Sequence, residues 1–198
     1  MTDDVFAVVP AEPLTALRQW FEGAVAAGVR EPGVLALATA GSDGRSASRM
    51  VQTLRLDADG LLFTSHAGSV KGRHIAETGW ASGVLYWREN GRQITLAGRV
   101  TRLPDADSDA LWAARPAATH PMSVASEQSA PLDDEAALRA AARRLADQGA
   151  PLTRPAQWCG YRLTPSTVEF WEADADRLHR RLRYDRTGDG WLGRRLQP

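Results

Sequence analysis

Apolar residues first recur at helical spacing as Leu14, Leu17, Phe21, Ala24 and Val25, which predicts a helix over 13–27. Pro13 suits its first turn and Gly28 ends it. The residues before it, about 1–12, read as a loose arm. From Val34 onward the pattern is that of strands. VLALATA (34–40) is a continuous apolar run, and Gly41-Ser42-Asp43-Gly44 is a turn. Residues 46–56 alternate as one long strand, and Asp57-Ala58-Asp59-Gly60 turns into LLFTS (61–65). A short helix is predicted over 69–78, with Ser69 as its N-cap. GVLYWRE (83–89) and RQITLAGRVTRL (92–103) flank Asn90-Gly91, a strong hairpin signal.

Helical patterning returns over 104–114, where acidic residues fill the first turn. The loop RPAATHP (115–121) leads to a short helix over 122–128, and a further helix over 133–147 carries the stripe Ala137, Leu138, Ala141 and Leu145. The chain closes on strands: WCGYRLTP (158–165), VEFWE (168–172), RLHRRLRYD (177–185) and WLGRRL (191–196). Short antiparallel strands with helices inserted, not alternating, predict a mainly β fold: an antiparallel barrel with peripheral helices. No linker divides the chain, so residues 1–198 are expected to form one domain.

Composition narrows the function classes. Formal net charge is zero, so no global pull toward nucleic acid or an anionic membrane is expected. The single cysteine, Cys159, allows neither an internal disulfide nor a multi-cysteine zinc site. The opening MTDDVFAVVPAEP is acidic and lacks a signal peptide's basic region. No apolar run is long enough to span a bilayer, and a cytoplasmic protein is the expectation. Lys71 is the only lysine; every other cation among Lys and Arg is arginine. Chance accounts for a lone survivor as well as a need for a compact ammonium does.

Catalytic templates are absent: there is no GxSxG, HExxH or Walker loop. His66, His74, His120 and His179 show no paired metal spacing, and no metal is expected. Cys159 reads as a buried, inert thiol. Three segments carry charge or hydroxyls in suggestive places. Arg49 interrupts a strand of small and apolar residues. Thr64 and Ser65 precede a helix start that carries Lys71, the makings of a phosphate cradle or of a plain capped turn. If 177–185 is a strand, Arg177, His179, Arg181 and Arg183 share one face. That row is either a solvated edge or an anion site, with Trp171 nearby. Gln93 and Gln128 are lone amides.

These residues sit in longer strings: REPGVLALATA, SRMV, FTSHAGSVKGR, LYWRENGRQI, ARP with SEQSA, and VEFWEADADRLHRRLRYDRTGDGWLGRRLQP. Through them the chain, from about Glu12 to Pro198, resembles the pyridoxamine 5'-phosphate oxidase superfamily. That superfamily consists of FMN-binding split β-barrels working as homodimers, and the resemblance implies that fold, cofactor and assembly here. By position it assigns FMN contacts to Arg49, Met50, Val51, Gln52, Thr64, Ser65, Lys71, Gln93, Gln128, Ser129, Trp171 and Arg181. Val70 departs from the arginine common at its position. The substrate positions fall on Leu54, Leu111, Arg115 and Thr119, where the vitamin B6 oxidases bind a phosphate ester with lysine, tyrosine, arginine and serine. The lysine and tyrosine are therefore replaced by leucine. Arg177 and His179 are retained as candidate catalytic and substrate-binding residues.

Within the superfamily, TSHAGS (64–69), WASGVLYWRE (80–89), RPAATHPMS (115–123) and RLRYDR (181–186) with RRLQP (194–198) resemble the phenazine-biosynthesis flavin oxidases. This implies an oxidase that dehydrogenates a di-, tetra- or hexahydrophenazine carboxylate, with oxygen as electron acceptor. Its expected partners are a second copy, a small aromatic carboxylate and oxygen, with no nucleic acid and no membrane. The alternatives are a pyridoxine or pyridoxamine 5'-phosphate oxidase, a flavin oxidase of another reduced aromatic metabolite, or a non-enzymatic flavin or haem binder on the same barrel.

Overall fold

The computed structural model describes residues 5–7, 9–149, 151–188 and 190–198. Helix α1 (Pro13–Ala26) leads into strands β1 (Val34–Ala40), β2 (Ser46–Gln52), β3 (Arg55–Asp57) and β4 (Gly60–His66). Helix α2 (Val70–Thr78) precedes the hairpin of β5 (Trp80–Trp87) and β6 (Arg92–Arg102). Helices α3 (Asp105–Ala114), α4 (His120–Ala125) and α5 (Glu135–Asp147) follow, then β7 (Trp158–Glu172), β8 (Arg180–Thr187) and β9 (Gly190–Leu196). The fold is mainly β with the helices at the periphery.

All nine strands join one antiparallel sheet in the order β2-β1-β5-β6-β7-β4-β3, with β8 on β7 and β9 on β8. β2, at one end, comes back against β4 near the other, so the sheet curls around its own inner face. That face is filled by Leu35, Leu37, Phe63, Leu85, Ile94, Leu96, Leu163 and Phe170, all fully buried. No helix among the described residues is long and apolar enough to cross a membrane.

β7 is the pivot. Along one side it pairs with β6; along the other its first half pairs with β4 and its second half with β8. The strands expected at 158–165 and 168–172 are thus one strand. Its register slips opposite Ala97 and Gly98, beside Pro165, which has no N–H to donate. A Cβ on Gly98 would lie 2.1 Å from the Thr164 carbonyl oxygen, so the slip needs glycine there.

Other expectations change for equally local reasons. The strand expected over 46–56 divides, because Thr53 N–H donates to Gly33 O on the β1 side and Leu54 N–H to Leu62 O on the β4 side, each at 2.8 Å. The chain changes partner between adjacent residues. The Asn90-Gly91 hairpin pairs β5 with β6, but a 3₁₀ turn over Arg88–Asn90 lengthens the connection, and Gly91 closes it at φ 64°. The helix expected over 122–128 runs His120–Ala125 and releases Gln128 into a turn. On α1, Trp20 rather than Val25 reaches the core: Trp20 is buried against Phe170 at 5.1 Å, and Val25 is 53% exposed. The expected loose arm is anchored, since Val5 and Phe6 are buried and Phe6 packs edge-on against Trp20; residues 1–4 and 8 lie outside the described residues.

The strand expected over 177–185 begins at Arg180. Before it, side chains of Asp174 and Asp176 accept from the backbone N–H of Asp176 and Leu178, and Arg177 adopts φ 69°. These local aspartate bonds outcompete strand pairing. Arg177 and His179 therefore stand in a turn and do not continue the alternating row of Arg181 and Arg183. Cys159 is buried and free, as its sequence position suggested.

Candidate active site

β2, β4, α2 and the turn after α4 line a cavity of about 550 Å³, well within the range of small-molecule sites. Arg49, Met50, Val51 and Gln52 line it from β2, Thr64 and Ser65 from β4, Lys71 from α2, and Gln128 and Ser129 from the turn after α4. The cofactor positions named on these elements come together in one place. Ser69 starts α2: its Oγ accepts from Gly72 N–H at 3.2 Å and donates to His66 O at 2.7 Å. A Cβ on Gly72 would lie 2.3 Å from Ala67 O, so glycine lets the first turn sit against the end of β4. That close seating carries Lys71 inward, to 8% exposure.

Lys71 Nζ donates to Ser65 Oγ at 3.0 Å, Gln128 Oε1 at 3.1 Å and Ser69 Oγ at 3.4 Å. Arg49 Nη1 donates to Thr39 Oγ1 at 2.8 Å and Leu37 O at 3.4 Å. All five acceptors are neutral. Among the described residues neither cation has a carboxylate partner. Burial, and then the charge of Arg49, hold the Lys71 ammonium below its ordinary pKa, and burial does the same for Arg49. Burying two like charges beside one cavity is unfavourable without a counter-charge. The arrangement suits a bound dianion, with hydroxyl and amide groups as further ligands.

The remaining cofactor positions form a second group. Gln93, Trp171 and Arg181 stand abreast on β6, β7 and β8, as direct cross-strand partners. Trp171 packs against His179 at 4.8 Å, and His179 Nδ1 accepts from Asp174 N–H at 3.1 Å. Arg181 is already paired, with Glu169 at 2.6 Å and with Gln197 O at 3.1 Å. None of these residues, nor Arg177, lines the Arg49–Lys71 cavity.

The substrate positions fall on neighbouring elements. Leu54 is 49% exposed between β2 and β3. Leu111 lies along α3 and packs over Gly160, where a Cβ would come within 2.8 Å of it. Arg115 ends α3, donates to Ser123 Oγ at 2.7 Å, and lies 5.7 Å from the rings of both Trp112 and Trp158. Ser123 in turn donates to Thr119 O at 3.2 Å. Burial lowers the Arg115 pKa. His66, buried nearby, is held below its ordinary pKa by burial, then by the charges of Lys71 and Arg115. Sequence reasoning missed Thr39, Ser123 and His66. Only Thr39 left a signal: it continues the core-facing row of Leu35 and Leu37 on β1 as a polar residue.

Comparison with known proteins addresses the family. Residues 21–149 match the family model described as pyridoxamine 5'-phosphate oxidase, and 158–198 match the pyridoxine 5'-phosphate oxidase C-terminal dimerisation region. The chain is 51% identical over 189 residues to the dihydrophenazinedicarboxylate synthase of Pseudomonas chlororaphis, covering 96% of this chain and 85% of that one. It is 42% identical to the pyridoxine/pyridoxamine 5'-phosphate oxidase of Salinispora arenicola, covering 93% and 85%. The crystal structure of PhzG from Burkholderia lata 383, in complex with tetrahydrophenazine-1-carboxylic acid, superposes with a TM-score of 0.97 at 49% identity, covering 98% of this chain and 96% of that one. A matched model over most of the chain, full-length identity above that needed for common descent, and a cavity built from the expected positions have one meaning: the chain belongs to the pyridoxamine 5'-phosphate oxidase family.

Proposed function

We propose that the chain is a cytoplasmic, homodimeric FMN-dependent oxidase that dehydrogenates a reduced phenazine carboxylate, with molecular oxygen as the final electron acceptor. The carrying observation is the pair Arg49 and Lys71, two cations beside one cavity with no carboxylate partner among the described residues. FMN fits that donor set, because its phosphate monoester brings the missing negative charge. Arg49 and Lys71 would hold it with Ser65 and Gln128, and Gln93, Trp171 and Arg181 would complete the site from β6, β7 and β8. When bound, FMN supplies the hydride acceptor, and the protein supplies orientation and charge.

The chain's own residues have narrower tasks. Arg177 offers a planar fork to the substrate carboxylate. His179 receives the Asp174 N–H on Nδ1, so its neutral ring carries the proton on Nε2. It therefore presents a donor toward an anionic ring substituent and has no free lone pair for a base. Aromatisation of the substrate drives the reaction, and no dedicated base is needed. Leu54 and Leu111 set the choice of substrate. They offer apolar surface to a tricyclic ring and no counter-charge to a phosphate ester. The relatives at about half identity carry phenazine names, which supports this substrate class.

The test is a side-by-side assay of the purified holoenzyme under air. Reduced phenazine carboxylate is expected to be oxidised with release of hydrogen peroxide, and pyridoxine 5'-phosphate to turn over poorly. Turnover of pyridoxine 5'-phosphate equal to or above that of the phenazine would overturn the substrate assignment in favour of vitamin B6 metabolism.

A further inference from the structure

Helix α2 brings a second side chain to bear on the cation pair. His74 follows Lys71 by three positions and so shares its helix face. Its Nδ1 lies 3.2 Å from Thr39 Oγ1, the same hydroxyl that accepts from Arg49 Nη1 at 2.8 Å. Thr39 is 3% exposed, so this hydroxyl cannot turn to solvent for another partner. A guanidinium has donors only. Thr39 oxygen must accept from Arg49, and the hydroxyl still has a second lone pair and its one proton for His74 Nδ1. The hydrogen bonds thus join Arg49, Thr39 and His74 in one chain. The other acceptor within reach of Arg49 Nη1 is Leu37 O at 3.4 Å, at the limit of a useful hydrogen bond.

We propose that Thr39 and His74 are positioning residues for the flavin site: His74 fixes the Thr39 hydroxyl, and Thr39 fixes the Arg49 guanidinium beside the cavity. The proposal rests on the FMN reading above. It makes α2 the organiser of both cations, Lys71 directly and Arg49 through two side chains. His74 is itself braced. A Cβ on Gly41 would meet His74 Cδ2 at 3.4 Å, and the neighbouring Glu77 accepts from Ser42 N–H at 2.8 Å. The 41–44 turn therefore backs the imidazole. An arginine side chain held in place before binding spares the entropy of ordering it on the ligand.

The experiment measures FMN affinity by quenching of flavin fluorescence, for Thr39→Val, Thr39→Ser and His74→Phe, each in the native and in the Arg49→Met background. Thr39→Val keeps the side chain's shape and removes the hydroxyl, and is expected to weaken FMN binding about tenfold, the size of one charge-assisted hydrogen bond. Thr39→Ser restores most of that loss. His74→Phe weakens binding in the same direction and by less. In the Arg49→Met background all of these differences vanish, because there is no guanidinium left to place. Native-like affinity of both Thr39→Val and His74→Phe would overturn the proposal, as would an equal loss in both backgrounds. If Thr39→Val fails to fold, His74→Phe alone decides between these outcomes. Failure of the native chain itself to bind FMN would instead overturn the flavin reading.

Discussion

Lys71 holds its positive charge in a place that disfavours it. Burial is the first cause of its lowered pKa and the charge of Arg49 the second, from an ordinary value of 10.5. A bound phosphate reverses both effects, so the complex holds more protons at Lys71 than the free protein does. By linkage, affinity must then fall as pH rises through the lowered pKa. The phosphate does not confuse the measurement, since its second pKa lies near 6 and it is a full dianion above about pH 8. FMN titrations between about pH 8 and 10 are expected to show weakening in the native chain. They are expected to be flat in Lys71→Arg, whose guanidinium stays charged. Lys71→Ala is expected to lose about ten- to a hundredfold in affinity at neutral pH. A native profile as flat as that of Lys71→Arg would show that Lys71 does not touch the phosphate. At this scale the sequence was legible where charge broke a pattern. Lys71 is the only lysine, and Arg49 interrupts a strand of small residues. Thr39 left only the weak signal of a polar residue in the row of Leu35 and Leu37, since threonine is an ordinary strand residue, and its importance lies in an oxygen that the three-dimensional pairing of β1, β2 and α2 brings between two partners.

The turn joining β7 to β8 shows what element-level reasoning misses. Alternation over RLHRRLR fits a strand, but Asp174 and Asp176 each sit two residues ahead of the amide that the side chain captures. The strand's start moves to Arg180. Periodicity located β8 and its buried Leu182 and Tyr184, and overlooked a local competitor for backbone hydrogen bonds. The same limit explains β2 and β3, whose division is a change of partner rather than a change of pattern. Arg177 pays for its position with φ 69°, in a region that costs an ordinary residue roughly 1–2 kcal/mol. This separates backbone from side chain in a simple experiment. Arg177→Gly is expected to unfold at a higher temperature than Arg177→Ala, by a difference of about 1 kcal/mol in stability. Both variants are expected to lose substrate turnover while retaining FMN. Equal stabilities would mean that the turn relaxes around alanine, and unchanged turnover would remove Arg177 from the site.

Across the whole molecule, the expected site residues divide between two places. Arg49, Lys71, Gln128 and their neighbours line the cavity of β2, β4 and α2, whereas Trp171, Arg177, His179 and Arg181 belong to 158–198, the segment matching a C-terminal dimerisation region. Fold class was legible from family strings, and the positions they named on β2, β4 and α2 line one cavity, but a sequence cannot tell whether two groups of residues meet within one chain or between two. Exposed apolar side chains fit the second arrangement: Met50, 61% exposed on the edge strand β2, and Leu178, 64% exposed in the β7–β8 turn. A homodimer with two-fold symmetry would seat each C-terminal turn over its partner's cavity and produce two equivalent sites. Light scattering should then give twice the chain mass of 21.5 kDa. Complementation tests the crossing itself. When Lys71→Ala chains are mixed with Arg177→Ala chains, a shared site places both defects in one of the heterodimer's two sites and leaves the other intact. Random mixing makes about half the dimers heterodimers, so about a quarter of native activity should return. Neither variant alone provides that activity. If Lys71 and Arg177 served the same site from a single chain, every site in every mixture would carry one defect, and the mixture would stay as inactive as its components.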